Sequence, residues 1–360
     1  MLTTLSSNVV LAKARTMYGR RLTPADYNEL LKCRTVGEVA GYLKNHTVYA
    51  KALAGIVESE VHRGQLESRL KQKQMDEYAS LCKYEVEVDK HFSKSFIQRD
   101  EIEYLLRAVV FLNSGRAETS SYFFPPYLLH RSELNLQALA RVKNADDFKQ
   151  VVRHTSYEKL LAPFLTDSGP EKRIDYIAVE NVLYSYLYSN VLKTVRKYFF
   201  GETKKQLLGI YNALMDLGNY VHIVRMKITY GTDAETAKKT LLPAGSLGRE
   251  ELEKMLQGKT EEEIQQVLRH TETGRRALNM KHVYLDEIPH RMNYMLCRHY
   301  IDFSIHPAVV LISYFFLSET EMNNIITIIE GKRYQLAPQE IRKLLIVENS
   351  GFSGGSANSN

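Results

Sequence analysis

A short signature ending in the dipeptide His-Thr occurs three times in this chain, at His46-Thr47, His154-Thr155 and His270-Thr271. Each copy opens with a residue suited to start a helix: Thr35, Asn144 and Thr260 are followed three positions later by Glu38, Asp147 and Glu263, and then at once by Val39, Phe148 and Ile264. Thr or Asn at an N-cap accepts a bond from an orphan backbone N–H, and the acid complements the positive end of the helix dipole. The copies lie roughly 110 residues apart, far longer than a solenoid unit and about the size of a small helical domain. Three similar small domains are therefore expected.

The repeat extends beyond the signature. Glu67, Glu180 and Glu287 stand near the start of long helical patterns, and a second acid-x-x-polar element follows each, at Asp100/Glu103, Asp216/Asn219 and Glu321/Asn324. The segment from Asn324 to Pro338 also resembles the chain's opening segment from Asn8 to Pro24. The first and last helices are thus expected to play equivalent parts in a closed or nearly closed arrangement.

Only 9 prolines and 19 glycines interrupt 360 residues, and apolar residues recur every three or four positions, as in Val179, Val182, Leu183, Tyr186 and Leu187. That period predicts an all-α chain, with the six-residue alternation Tyr84–Asp89 read as part of a helix. Cys33, Cys82 and Cys297 form no Cys-x-x-Cys pair and are expected to be buried, reduced thiols. The first residues lack the charged and apolar regions of a signal peptide, so a cytosolic protein is expected. The eleven-residue apolar run Pro307–Leu317 is too short to span a bilayer and reads as a core helix or a surface for another protein. The Gly-, Ser- and Asn-rich end of the chain is expected to stay disordered.

No phosphate-binding loop, His-Glu-x-x-His zinc helix or Gly-x-Ser-x-Gly elbow is present. The 11 histidines are scattered. His46, His154 and His270 read as helix-end residues bonding terminal carbonyls, in preference to a metal set drawn from three domains. Asp216, Asn219, Glu321 and Asn324 read as capping or inter-helix groups, in preference to cation ligands. With 48 basic against 42 acidic residues the charge is mixed, which is no nucleic-acid footprint. Catalytic, cofactor and metal sites are accordingly assigned to no residue. Local basic clusters at Arg15, Arg20 and Arg21, at Lys193, Arg196 and Lys197, and at Lys332 and Arg333 suit an acidic partner or a headgroup zone. There are 23 tyrosines and no tryptophan, and Tyr184, Tyr186 and Tyr188 point around one helix, so part of that helix is expected at an interface. The candidate interface set is Arg15, Arg20, Arg21, Tyr184, Tyr186, Tyr188, Lys332 and Arg333.

These residues resemble the C subunit of prokaryotic V-type (A-type) ATP synthases and the related d subunit of the eukaryotic vacuolar proton pump. The strongest part runs from His306 to Tyr314 and from Glu321 to Leu345; Ala14 to Pro24 and the turns Thr47–Tyr49 and Thr155–Tyr157 are similar as well. Two departures are Thr273, where the third copy lacks the Tyr, and Glu103, where the first lacks the Asn. The resemblance implies three helical domains about a pseudo-threefold axis in a funnel: 1–125 (residues 1–20 able to pack with the third repeat), 126–240 and 241–347, then a disordered tail, 348–360. It also implies a non-catalytic rotor subunit on the cytoplasmic face of the membrane, held peripherally between the central-shaft subunits and the proteolipid ring. No homo-oligomer is required. The competing reading is a free-standing helical scaffold that binds protein partners.

Overall fold

The chain's first and last segments fold together. A computed structural model describes residues 2–114, 124–165, 173–280 and 284–347, all helix, turn or loop with no strand among them. The disordered tail expected at 348–360 lies outside the described residues. The chain divides into two compact units, one made of residues 1–85 with 294–360 and the other of residues 86–293.

In the first unit the Pro307–Arg333 helix packs against the Leu2–Tyr18 and Arg63–Cys82 helices. Pro307 sits at the first helical position, where its missing N–H costs nothing, and every residue from Ala308 to Ser318 is buried. The apolar run is thus a core helix, as its length required. Ile325, Ile328 and Ile329 on its later turns pack into a cluster with Leu30, Leu43 and Leu53 from the chain's start. Each such isoleucine is fully buried and contributes about 1.5–3 kcal/mol of transfer free energy. Gly331 lets the Pro338–Lys343 helix approach, since a Cβ there would lie 2.5 Å from Ile341. The Pro24–Lys32 helix starts with a full capping box, in which Thr23 and Asp26 each satisfy the other's backbone N–H.

In the second unit the Val86–Ser114 helix packs along Tyr176–Tyr198, which in turn packs on Gly201–Ile223. Short helices complete it, among them Ala145–Val152, Arg249–Gln257 and Glu261–Leu268. The Gly201–Ile223 helix runs on into a six-residue π-helical stretch, Val224–Thr229. Within it the Lys227 ammonium donates to the carbonyls of Leu256 and Gly258 at the end of the Arg249–Gln257 helix.

The alternating Tyr84–Asp89 stretch departs from the expected continuous helix. The chain turns at Lys83–Glu85, closed by Tyr84 N–H to Leu81 O (3.0 Å) and Glu85 N–H to Cys82 O (3.2 Å), and the next helix begins at Val86. Cys82 and Cys297 are buried and Cys33 half-buried, with no disulfide among the described residues.

Candidate functional site: three buried acids and the surfaces around them

The repeated signature builds the same local structure three times. Thr35, Asn144 and Thr260 each accept the backbone N–H three residues on, at 3.1, 2.8 and 3.3 Å. Glu38, Asp147 and Glu263 each accept the N–H of the residue before the cap, from Arg34, Lys143 and Lys259. The acid therefore reaches one residue further back than a capping box requires, and two orphan donors are still satisfied.

At the other end of each signature the bond to the helix carbonyl comes from the threonine. Thr47 and Thr155 donate to Leu43 O and Val152 O at 2.6 Å, and Thr271 to Leu268 O at 3.1 Å. His46, His154 and His270 are exposed, against the expectation that they bond those carbonyls. A threonine hydroxyl, two bonds from Cα, folds back onto the preceding turn more readily than an imidazole can. His154 has φ = 63°, a left-handed conformation uncommon for a residue other than glycine.

In the first two copies the threonine oxygen also accepts an N–H two residues on, from Tyr49 and Tyr157, at 3.2 Å each. Those tyrosines reach buried acids. Tyr49 donates to Glu321 and Tyr157 to Glu101, both at 2.6 Å. The third copy has Thr273 in that place, and Thr271 instead caps the Glu272–Leu278 helix by accepting from Gly274 N–H at 2.9 Å.

Glu321 is the centre of an ion network in the first unit. Arg21 donates to it at 3.0 Å and to Glu77 at 2.9 Å, and Leu22 N–H to its other oxygen at 2.9 Å. Tyr314 accepts from Arg21 and donates to Glu77, both at 2.8 Å, and Lys73 also pairs with Glu77. Burial opposes the Arg21 charge, but Glu321 and its neighbours outweigh it and raise the guanidinium pKa. Three residues on, Asn324 holds Ile346 by both its backbone N–H (2.9 Å) and its C=O (2.8 Å).

The second unit repeats this arrangement with fewer charges. Glu101 accepts from the Ser132 hydroxyl at 2.6 Å and Glu133 N–H at 2.8 Å, besides Tyr157, and burial raises its pKa. Asp216 accepts three backbone N–H groups, Gly245 at 3.0 Å, Ser246 at 2.7 Å and Leu247 at 3.1 Å. Asn219 grips Leu242 as Asn324 grips Ile346, through N–H (2.8 Å) and C=O (3.1 Å). Burial pushes the Asp216 carboxyl up to about 6 against those three hydrogen bonds. A side chain at Gly245 would collide with Asp216, its Cβ 2.6 Å from the carboxylate.

The inward-facing acid of the first copy is therefore Glu101, with Tyr104 three residues on, where Asp100 and Glu103 matched by spacing alone. Asp100 instead pairs with the Tyr127 hydroxyl.

The candidate interface residues have different fates. Arg21 lies inside the ion network and is buried, so it leaves the surface set. Arg15 is half-buried and caps the Glu287–Phe303 helix, donating to Ile301 O and Ser304 O at 2.8 Å each. Lys332 is half-buried and donates to Leu31 O, and burial lowers its pKa. Arg20 is exposed, and Arg333 is exposed and pairs with Glu330 at 3.4 Å. Tyr184, Tyr186 and Tyr188 are half-buried. Tyr184 and Tyr188 stack at 6.2 Å and line a cavity of about 410 Å³ with Arg99, His222 and Arg225. Burial and then Arg225 lower the His222 pKa, favouring a neutral ring there.

Spacing did not reveal the apolar side chains at the turns between long helices. Phe200 is 74% exposed, Phe303 71% and Ile305 75%, and Val86 at the Lys83–Glu85 turn is exposed as well. Large apolar residues at such exposure mark contact surfaces when they cluster.

Buried acids that fasten loops, in an all-helical chain whose His-Thr signature occurs three times, define an all-α protein. The chain belongs to the ATP synthase (C/AC39) subunit family, whose model matches residues 10–344. That family supports the role of a rotary ATPase subunit. A search of curated proteins gives no match. No described helix is long and apolar enough to cross a membrane.

Proposed function

We propose that this chain is the non-catalytic central-stalk subunit of a V-type or A-type ATP synthase. It joins the central shaft to the membrane proteolipid ring, so that ATP synthesis or hydrolysis is linked to proton or sodium-ion transport. The observation that carries the reading is the family match over residues 10–344, nearly the whole chain. In this reading three similar helical domains, 1–125, 126–240 and 241–347, stand about a pseudo-threefold axis as a funnel at the cytoplasmic face.

The chemistry of the chain is consistent with such a part. A coupling body needs rigidity and two docking surfaces, because torque is lost if the body twists. The three acids tie helices to loops with charge-assisted hydrogen bonds, which are shorter and stronger than neutral ones. The Tyr184 and Tyr188 cavity offers aromatic and polar contacts for the shaft, while the apolar turn at Phe303 and Ile305, with Arg20 and Arg333, suits the ring.

The test is an affinity purification of tagged protein from mildly solubilised native membranes, with co-purifying subunits identified by mass. The proposal expects the proteolipid ring and central-shaft subunits. Soluble partners alone, from membranes that contain the ATPase, would overturn it in favour of a helical scaffold.

A further inference from the structure

The second unit carries a groove that the rotor reading leaves unused. It has a volume of about 630 Å³ and lies between the C-terminal half of the Tyr176–Tyr198 helix, the extended segment 241–244 and the Arg249–Gln257 helix. Its floor is apolar. Leu192 and Leu256 are buried there, and Leu241 and Leu242, both half-buried, also line it.

The rim is positive. Lys193 and Arg196 stand on one wall and Arg249 on the other, all three exposed, and none has an acidic partner among the described residues. The one acid lining the groove, Glu253, is already neutralised by Lys238. The groove therefore keeps three uncompensated cations around a leucine floor.

The floor is held in shape. Asn219 fixes Leu242 through both backbone groups, and Asp216 fixes Gly245 to Leu247, which lead into the Arg249–Gln257 helix. Lys227 fastens the far end of that helix at Leu256. A preformed groove saves a partner the entropy of ordering it.

We propose that this groove receives an acidic amphipathic helix of a partner protein, its apolar stripe on Leu192, Leu241 and Leu242 and its carboxylates on Lys193, Arg196 and Arg249. Apolar anchors at i, i+3 and i+4 flanked by acids match a leucine floor between two basic walls. A membrane surface fits less well, because the apolar residues form the base of a concavity that a bilayer does not enter. The inference does not depend on the rotor reading.

The experiment uses the full chain and a labelled helical peptide of about 18 residues, long enough to hold helix when docked, with leucines on one stripe and glutamates beside it. Methyl NMR on the leucines and fluorescence anisotropy report binding. The expected result is saturable binding with shifts at Leu241 and Leu242, weakened at least tenfold by K193E/R196E/R249E and weakened by salt. A lysine-for-glutamate peptide should not bind. Because the three reversed residues are exposed, the variant should keep the parent's circular dichroism and melting temperature. Filling the floor with Ala244→Trp gives a second block that leaves the charges in place. No saturable binding of the acidic peptide, equal binding by the charge-reversed variant, or binding only to phosphatidylglycerol vesicles would each overturn the proposal.

Discussion

Glu321 in the first unit and Asp216 in the second occupy matching places in the repeat but are satisfied by different means. Glu321 is compensated by a guanidinium, a tyrosine hydroxyl and one backbone N–H, within a network that includes Glu77 and Lys73. Among the described residues, Asp216 is held by three backbone N–H groups from one loop. One site is a junction of elements distant in sequence, held by opposite charges. The other is a loop clamp whose charge is uncompensated, and its pKa reflects that. Glu101 stands between them, with two hydroxyls and one N–H but no cation among the described residues.

The largest expected effect is at the junction. Arg21→Ala leaves Glu321 and Glu77 without their shared cation in a buried site and should cost about 3–5 kcal/mol in denaturant unfolding. A loss below about 1 kcal/mol, the scale of an ordinary surface pair, would mean that the network is not what holds the first unit's two chain segments together.

The clamp should respond to pH. Asp216 has a folded pKa near 6, above its ordinary value of 3.8, so between those pH values the folded state holds a proton that the unfolded state has lost. Its contribution to stability therefore falls as pH rises through that window, by about 3 kcal/mol in all. Asp216→Asn cannot titrate. Unfolding free energies of parent and variant at about pH 4 and pH 8 should show the parent losing about 2.5 kcal/mol relative to the variant, and a pH-independent difference would refute the clamp's charge cost.

Glu101 supplies the intermediate case. Tyr157→Phe removes one hydroxyl from a carboxylate and should cost about 1.5–3 kcal/mol by the same unfolding measurement. The smallest effects belong to the features all three copies share. Thr35→Ala, Asn144→Ala and Thr260→Ala should each lower stability by about 1 kcal/mol, near-equal values being the signature of equivalent caps.

Much of this was legible in sequence wherever the cause is local. Thr35, Asn144 and Thr260 were readable as caps because a cap needs a small acceptor and an acid at fixed spacing. The pairs Asp216/Asn219 and Glu321/Asn324 were readable because three residues on a helix share a face. The first copy failed on register. Asp100, Glu101 and Glu103 fall within four positions, each step turns the helix by about 100°, and only packing reveals that Glu101 faces inward. Arg21 looked like part of a surface cluster with Arg20, because its partners Glu77, Tyr314 and Glu321 lie far along the chain. The histidines were misread for the opposite reason, being next to the residue that makes the bond. The apolar turns at Phe200 and at Phe303 and Ile305 follow no period, since nothing in their own neighbourhood requires them.

The most direct test of the coupling role is ATP-driven ion uptake, measured beside ATP hydrolysis, in membrane vesicles from cells that lack this chain and again after purified chain is added back. The account predicts that uptake is lost without the chain while the catalytic head still hydrolyses ATP, and that the added chain restores uptake. Undiminished uptake in its absence would contradict it.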